Sequence, residues 1–222
     1  SGLIAFIPTR KVMSAQKSPA PVARRQYRRT AERRQEILVA VVELLSEPAC
    51  TGVTTKEIAA YMGVADGALY RHFSGKPEIL RELIGFCRNA FESMFDEINA
   101  QEGVTMLERA QIKTRALLLF AEANRGLARL LTGEILCGED DAVREAMRAT
   151  IVEAQKALAQ SLELALVQRE IVKSADPAAR AALIMSYVQG RWARFVASGF
   201  DEQPSADWQS AQSVLFSGLK KS

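Results

Sequence analysis

The sequence predicts an all-α protein in two parts, a small three-helix head followed by a larger helical body. Apolar residues recur at helical spacing through most of the chain, and no segment shows the two-residue alternation of a strand. Proline, glycine and asparagine interrupt these segments at intervals of a helix length. With 222 residues, 48% of them hydrophobic, the chain is long enough to bury a core.

The N-terminal stretch, residues 1–29, is strongly basic. Seven lysine and arginine residues precede the first acidic residue, Glu32, although the whole chain carries a net charge of only +3. Because a composition rich in proline, serine and alanine buries little apolar surface, we predict a disordered tail. Its last arginines, including Arg28 and Arg29, are predicted to contact DNA phosphates, whereas residues 1–20 are expected to be solvated.

The head, residues 30–76, begins with a predicted helix. Apolar side chains recur at helical spacing from Ile37 to Leu45, and Pro48 with Gly52 follows them. Since proline and glycine end helices, we place the first helix near residues 30–47.

Two short helices joined by a glycine turn complete the head. The first opens at a capping box, in which the Thr54 hydroxyl accepts from the Glu57 amide and the Glu57 carboxylate accepts from the Thr54 amide. Gly63 supplies the positive φ of a sharp turn, and Val64 and Leu69 are expected to face inward. The pattern predicts a helix-turn-helix whose second helix, an α-helix from Ala65 to Arg71, fits the major groove of DNA.

The outward residues of this unit are the predicted DNA contacts. Ala65 gives the second helix no side-chain cap, a loss of about 1 kcal/mol. Asp66 either interacts with the positive helix end or accepts from a cytosine amino group. Gly67 costs roughly 1 kcal/mol inside a helix, which indicates close approach of DNA unless it reflects drift alone. The predicted contacts are Thr54, Thr55, Lys56, Asp66, Gly67, Ala68, Tyr70, Arg71, His72 and Lys76, in addition to Arg28 and Arg29.

A long bridging helix, predicted at residues 77–98, leads from the head into the body. Pro77 fits the first turn, where the free amides and the positive helix end favour a DNA phosphate next to Lys76. Phe86 lies off the apolar stripe of this helix. It is therefore interpreted either as a partner contact or as a residue packed beneath the head.

The body, residues 77–222, is predicted to consist of further helices that support self-association. Beyond the bridging helix they are expected at residues 104–123, 125–137, 140–169, 176–199 and 205–219. Small residues on the last long helix allow close approach of another helix, although packing within the chain would give the same stripe. The residues predicted to form a homodimer surface are Leu183, Tyr187, Gly190, Trp208 and Leu215.

Composition argues against several classes of protein. The three cysteines show no paired spacing, and the only histidine, His72, lies in the DNA-reading unit. Metal sites and histidine-dependent catalysis are therefore not expected; we predict no enzyme activity and no cofactor. The apolar run Leu3 to Ile7 is too short for a signal peptide, and no segment is long enough to span a bilayer. We expect a cytoplasmic, nucleoid-associated protein without a membrane partner.

The run from Gly63 to Lys76 resembles the helix-turn-helix of TetR-type regulators. Tyr70, His72 and Phe73 match the aromatic exit of that motif, and Lys76 matches the lysine that opens the next helix. The resemblance implies a TetR-like fold, with a DNA-binding head and a helical body for dimerisation and regulation. It also implies that the protein binds double-stranded DNA as a homodimer.

From about residue 32 to residue 210 the chain is similar to the SlmA-type nucleoid occlusion factors within this family. The likeness is carried by residues 33–38, 54–56, 83–86, 124–133 and 194–200. It implies binding to palindromic chromosomal sites and inhibition of FtsZ ring assembly over the nucleoid. It further implies that Phe86 and Asn124 bind the FtsZ tail.

Three positions depart from the pattern of those factors. Met94 and Ala123 stand where they have groove arginines, and Leu119 stands at a groove glycine, while Arg88, Arg115 and Arg125 supply cations nearby. The alternative is a ligand-responsive transcriptional repressor of the TetR type. In that case polar body residues would line a pocket for a small-molecule effector; the candidates are Arg115, Glu122, Asn124 and Tyr187.

Overall fold

The regular elements of the protein are helices throughout the described part of the chain. The computed structural model describes residues 21–219, with side chains from Thr30 onward. Between residues 21 and 219 there is no β-strand, and no helix there combines the length and apolar character needed to cross a bilayer. The helices are α1 (Pro21–Ser46), α2 (Thr55–Tyr61), a 3-10 recognition helix (Asp66–Arg71), α3 (Lys76–Asn99), α4 (Met106–Ala123), α5 (Arg125–Leu131), a 3-10 turn (Glu134–Leu136), α6 (Asp141–Val167), α7 (Pro177–Ala197) and α8 (Trp208–Leu215).

The first helix is longer than the sequence predicted. Residues 21–29, assigned above to a disordered tail, belong to α1, which begins at Pro21. Proline suits the first position of a helix, and the alanine, arginine and glutamine residues that follow are good helix formers. The side chains of Arg28 and Arg29 and all of residues 1–20 lie outside the described residues.

The second helix of the DNA-reading unit also differs from its prediction. It is a 3-10 helix rather than an α-helix, with the Ala68 amide bonded to the Ala65 carbonyl at 2.8 Å. Ala65 makes no side-chain cap, as predicted, and Gly67 lies in the first turn. Both residues weaken an α-helix, which explains why this short segment tightens instead.

An arginine on α1 links that helix to the recognition helix and to α3. Arg34 donates a hydrogen bond to the Glu78 carboxylate at 3.0 Å and others to the Glu82 carboxylate and the His72 carbonyl. Its guanidinium lies 3.9 Å from the centre of the Phe73 ring. These contacts tie α1 to the end of the recognition helix and to the first turns of α3, so they fix the direction in which the recognition helix points.

The head is joined to the body through close contact between α1 and α5. A Cβ atom on Gly126 would lie 2.1 Å from the Val42 carbonyl oxygen, so the two backbones touch. One turn further along α5, Arg129 donates to the carbonyls of Glu47 at 3.0 Å and Pro48 at 3.2 Å. This junction positions the head relative to the body.

The body core lies between α3, α4, α6 and α7. The buried indole of Trp192 donates to the Leu117 carbonyl at 3.1 Å, and the rings of Phe91 and Phe120 lie 5.0 Å apart edge to face. Lys113 on α4 is buried in the same core, at 2% exposure. Nothing in the apolar pattern of α4 predicted a lysine at that depth.

Candidate nucleic-acid interface

The helix-turn-helix is built on local hydrogen bonds and a small apolar core. The Thr54 amide donates to the Glu57 carboxylate at 2.8 Å, and the Glu57 amide donates to the Thr54 hydroxyl at 3.2 Å, which confirms the predicted capping box. Gly63 takes the positive φ, 65°, that the turn needs. Ile58 and Leu69 are buried beneath the unit, so its outer surface is left for another molecule.

The recognition helix presents a polar and aromatic face to solvent. Asp66, Gly67, Tyr70 and Arg71 are exposed, and Ala68 is half-buried. Tyr70 is 54% exposed, so its ring and hydroxyl are accessible to another molecule. A Cβ atom on Gly67 would meet no protein atom within 4 Å, so packing within the chain does not require glycine there.

The start of α2 lies beside the recognition helix. The Thr55 hydroxyl is 3.4 Å from the Tyr70 hydroxyl, and Thr54 and Lys56 are exposed next to it. These hydroxyl and ammonium groups are suited to DNA phosphates, while the recognition helix carries the groups that can reach base edges. The structure therefore brings the predicted contacts of α2 and the recognition helix onto one face.

His72 and Tyr61 lie at the ends of the recognition helix and of α2. His72 is half-buried, and its Nδ1 atom is buried without a hydrogen-bond partner in the described part of the chain. The sequence analysis missed Tyr61 of α2, which is 53% exposed and donates to Glu43 at 2.9 Å. That hydrogen bond raises the pKa of the Tyr61 phenol. An aromatic residue off the inward stripe of α2 was the signal available for it.

Lys76, the predicted phosphate contact, already has an acidic partner. Its ammonium forms an ion pair with the Glu139 carboxylate, which belongs to the body. On the head, hydrogen bonds from the Thr54 hydroxyl and amide lower the pKa of Glu57, and the charge of Lys76 adds to that effect. Lys76, the first residue of α3, therefore contacts the body through its side chain while it adjoins the head in the chain.

The two predicted partner-binding residues have different surroundings. Phe86 is half-buried and packs against the core, whereas Asn124 is 7% exposed and donates to the Phe120 carbonyl at 2.8 Å. Asn124 thus joins α4 to α5 and offers little surface to a partner. The neighbouring cations suggested above, Arg88, Arg115 and Arg125, are all exposed.

The predicted dimer residues divide into surface and core positions. Leu183 is 53% exposed, Gly190 is exposed, and Tyr187 and Trp208 are half-buried. Leu215 is 6% exposed, so its side chain is used within the chain, because α8 folds back with that face against the body. Exposed apolar residues missed by the sequence analysis are Val152, Leu164, Val167 and Val214.

Comparison with known proteins matches both parts of the chain. Residues 37–83 match the family described as "Bacterial regulatory proteins, tetR family", and residues 104–220 match the SlmA-like family described as "Tetracyclin repressor-like, C-terminal domain". The nucleoid occlusion factor SlmA of Idiomarina loihiensis is 34% identical over 189 residues, covering 83% of this chain and 96% of its own. That of Marinobacter nauticus is 35% identical over 183 residues, covering 82% and 93%.

The fold has solved counterparts at lower sequence identity. A TetR transcription regulator from Haloarcula marismortui superposes with a TM-score of 0.71 over 86% of this chain and all of its own, at 17% identity. The helix order, the exposed recognition helix and the two family matches agree with one another. The chain belongs to the TetR family of DNA-binding regulators, which are not enzymes, and it carries a body of the SlmA-like type.

Proposed function

We propose that this protein binds palindromic chromosomal sites as a homodimer and acts as a nucleoid occlusion factor that inhibits FtsZ ring assembly over the nucleoid. The observation that carries the proposal is the extent of the likeness to SlmA proteins, which covers 83% of the chain and includes the body. The body is the part in which TetR-type proteins of different function diverge. A likeness confined to the head would support DNA binding alone.

Homodimerisation is supported by apolar surface on the last helices of the body. Leu164 and Val167 on α6 are 42% and 76% exposed, Leu183 on α7 is 53% exposed, and Val214 on α8 is 71% exposed. Exposed large apolar side chains on three neighbouring helices are suited to an interface with a second copy. A second copy bound there would supply a second recognition helix, which is what reading two half-sites of a palindrome requires.

Replacement of Tyr70 by alanine is expected to weaken binding to a palindromic site about tenfold, since a base or sugar contact is worth about 1 to 2 kcal/mol. Because Tyr70 is 54% exposed, the fold should not change. Fluorescence anisotropy with palindromic and scrambled duplexes would measure both affinity and specificity. Tyr70→Phe, which keeps the ring, serves as the matched control, and parental affinity in Tyr70→Ala would contradict the assignment of this face.

Replacement of Phe86 by alanine is expected to leave DNA affinity unchanged and to weaken binding of an FtsZ tail peptide to the DNA-bound protein. The reason is that a half-buried aromatic ring at the surface of α3 can supply both a wall of the core and an apolar contact for a peptide. The measurement is peptide anisotropy on the protein–DNA complex. Phe86→Leu controls for packing, because it keeps most of the apolar volume against the core.

Equal peptide affinity in the parent and in both Phe86 variants would favour the ligand-responsive repressor. The polar residues suggested for an effector pocket give that alternative no specific support. Arg115 is exposed, the Glu122 carboxylate accepts from the Ser205 amide at 2.5 Å, and Asn124 donates to the Phe120 carbonyl of α4. Their hydrogen-bonding groups thus face solvent or backbone.

Genome-wide occupancy is the experiment that separates the two functions. Occlusion predicts many sites scattered over the chromosome and missing near the replication terminus. Repression predicts one or a few promoters. A profile of the second kind would overturn the occlusion proposal while leaving the DNA-binding head in place.

A further inference from the structure

The Lys76 side chain connects the head to a carboxylate of the body. Lys76 is the first residue of α3, and Glu139 lies in the loop between the 3-10 turn at Glu134–Leu136 and α6. Their side chains form an ion pair in which Lys76 is 29% exposed and Glu139 only 8% exposed. The Glu139 carboxylate is thus largely shielded from water, whereas part of the Lys76 side chain stays open to solvent.

The same ammonium is the predicted contact for a DNA phosphate. Lys76 opens α3 and follows the end of the recognition helix at Arg71 after the short segment 72–75. The N-terminus of α3, with its unpaired amides and positive end, favours a phosphate at this point. A phosphate that binds there must either share the ammonium with Glu139 or draw it away.

We propose that Glu139 is an autoinhibitory residue, which holds Lys76 in the DNA-free protein and competes with the DNA phosphate for it. The inference rests on the DNA-binding function proposed above, and it means that a residue of the body affects the affinity of the head for DNA. DNA affinity then depends on where the loop at residues 137–140 lies. That loop leads into α6, one of the helices with exposed apolar surface, so rearrangement of α6 would change the number of phosphate contacts available to the head.

The test compares two variants that remove the same charge from the body. Glu139→Gln removes the carboxylate that holds Lys76, while Glu145→Gln removes one on α6 that pairs with Arg148 at 2.9 Å. Affinity for one palindromic duplex is measured by anisotropy at fixed salt. We expect Glu139→Gln to bind DNA about two- to fivefold more tightly than Glu145→Gln, the range for loss of one ion-pair competitor. In a Lys76→Ala background the two should bind equally.

Two outcomes would overturn the inference. One is equal affinity of Glu139→Gln and Glu145→Gln with Lys76 present, and the other is a gain from Glu139→Gln that persists without Lys76. Glu139→Ala, followed by thermal melting, repeats the test should glutamine disturb the loop. A parent protein that shows no preference for the palindrome over scrambled DNA would count against the proposed function. If the parent binds the palindrome specifically but Glu139→Gln and Glu145→Gln have equal affinity, only the autoinhibitory role of Glu139 is contradicted.

Discussion

Replacing Lys113 with methionine is expected to raise the free energy of unfolding at pH 7 by about 2 kcal/mol, because a buried ammonium is exchanged for an apolar side chain of similar length. Lys113 is 2% exposed, and the groups that accept its hydrogen bonds are neutral, the Ser161 hydroxyl at 2.8 Å and the Ala157 carbonyl at 3.3 Å. The substitution leaves little unsatisfied, since Ser161 itself donates to the Ala157 carbonyl at 3.3 Å.

The effect should depend on pH in a defined direction. Burial lowers the pKa of Lys113 to about 8; the nearby Arg109 adds to the shift and Asp96 opposes it. In the unfolded chain the lysine keeps its proton up to about pH 10. Between these two pH values the unfolded state binds more protons than the folded state, so the free energy of unfolding of the parent rises with pH. Below about pH 8 Lys113 is charged in both states, and the cost of burying its charge is present in full. The advantage of Lys113→Met should therefore shrink towards about pH 10.

Urea unfolding of parent and variant across this range would measure the prediction. Lys156→Met is the matched control, because Lys156 is exposed on α6, and the same chemical change there should alter stability little and without this pH dependence. A gain in Lys156→Met equal to that in Lys113→Met, or a Lys113→Met gain that is constant over pH, would contradict the assignment of a buried charge.

Replacing Gly126 with alanine is expected to lower the free energy of unfolding by about 3 kcal/mol, because the new methyl group would overlap backbone atoms of α1. Its Cβ would lie 2.1 Å from the Val42 carbonyl oxygen and 2.9 Å from the Ser46 hydroxyl oxygen. Ser46 donates to that carbonyl at 2.7 Å, so neither atom is free to move aside without losing a hydrogen bond. Helix α5 must then shift away from α1.

The matched control is another glycine inside a helix. A Cβ on Gly85 of α3 would meet nothing within 4 Å, so Gly85→Ala should stabilise the protein by up to about 1 kcal/mol through helix propensity. Urea unfolding measures both variants. Because Gly126 lies where head and body meet, Gly126→Ala should also weaken binding to the palindrome more than to scrambled DNA, since two displaced heads no longer match the half-site spacing. Similar stability in the two alanine variants would show that α1 and α5 can separate without cost.

Much of the head could be predicted from neighbouring residues. The capping box joins Thr54 and Glu57, which are three residues apart, and the turn depends on the φ angle of Gly63 alone. The local sequence is therefore sufficient to predict both features. The inward position of Leu69 follows from helical spacing. The prediction of an α-helix from Ala65 to Arg71 was wrong in type. The missing side-chain cap at Ala65 and the glycine at Gly67 both destabilise an α-helix, and the segment forms a 3-10 helix instead.

In the body, the local sequence does not decide which surfaces of the helices are buried. Spacing indicated that Leu215 belongs to an apolar stripe, but a stripe is equally suited to a second copy and to the chain's own core, and the structure uses it for the core. The depth of Lys113 is likewise decided by the position of α6 over α4.

By itself the sequence determined the all-helical class, the position of the helix-turn-helix and the outward direction of Tyr70 and Arg71. Hydrogen bonds and side-chain periodicity within a few residues are enough for these. Only the tertiary structure decided that Glu139 meets Lys76, that Gly126 touches Val42 and that Asn124 is turned inward. The physical reason is that these contacts join residues far apart in the chain, and their energies depend on how whole helices pack rather than on the residues beside them.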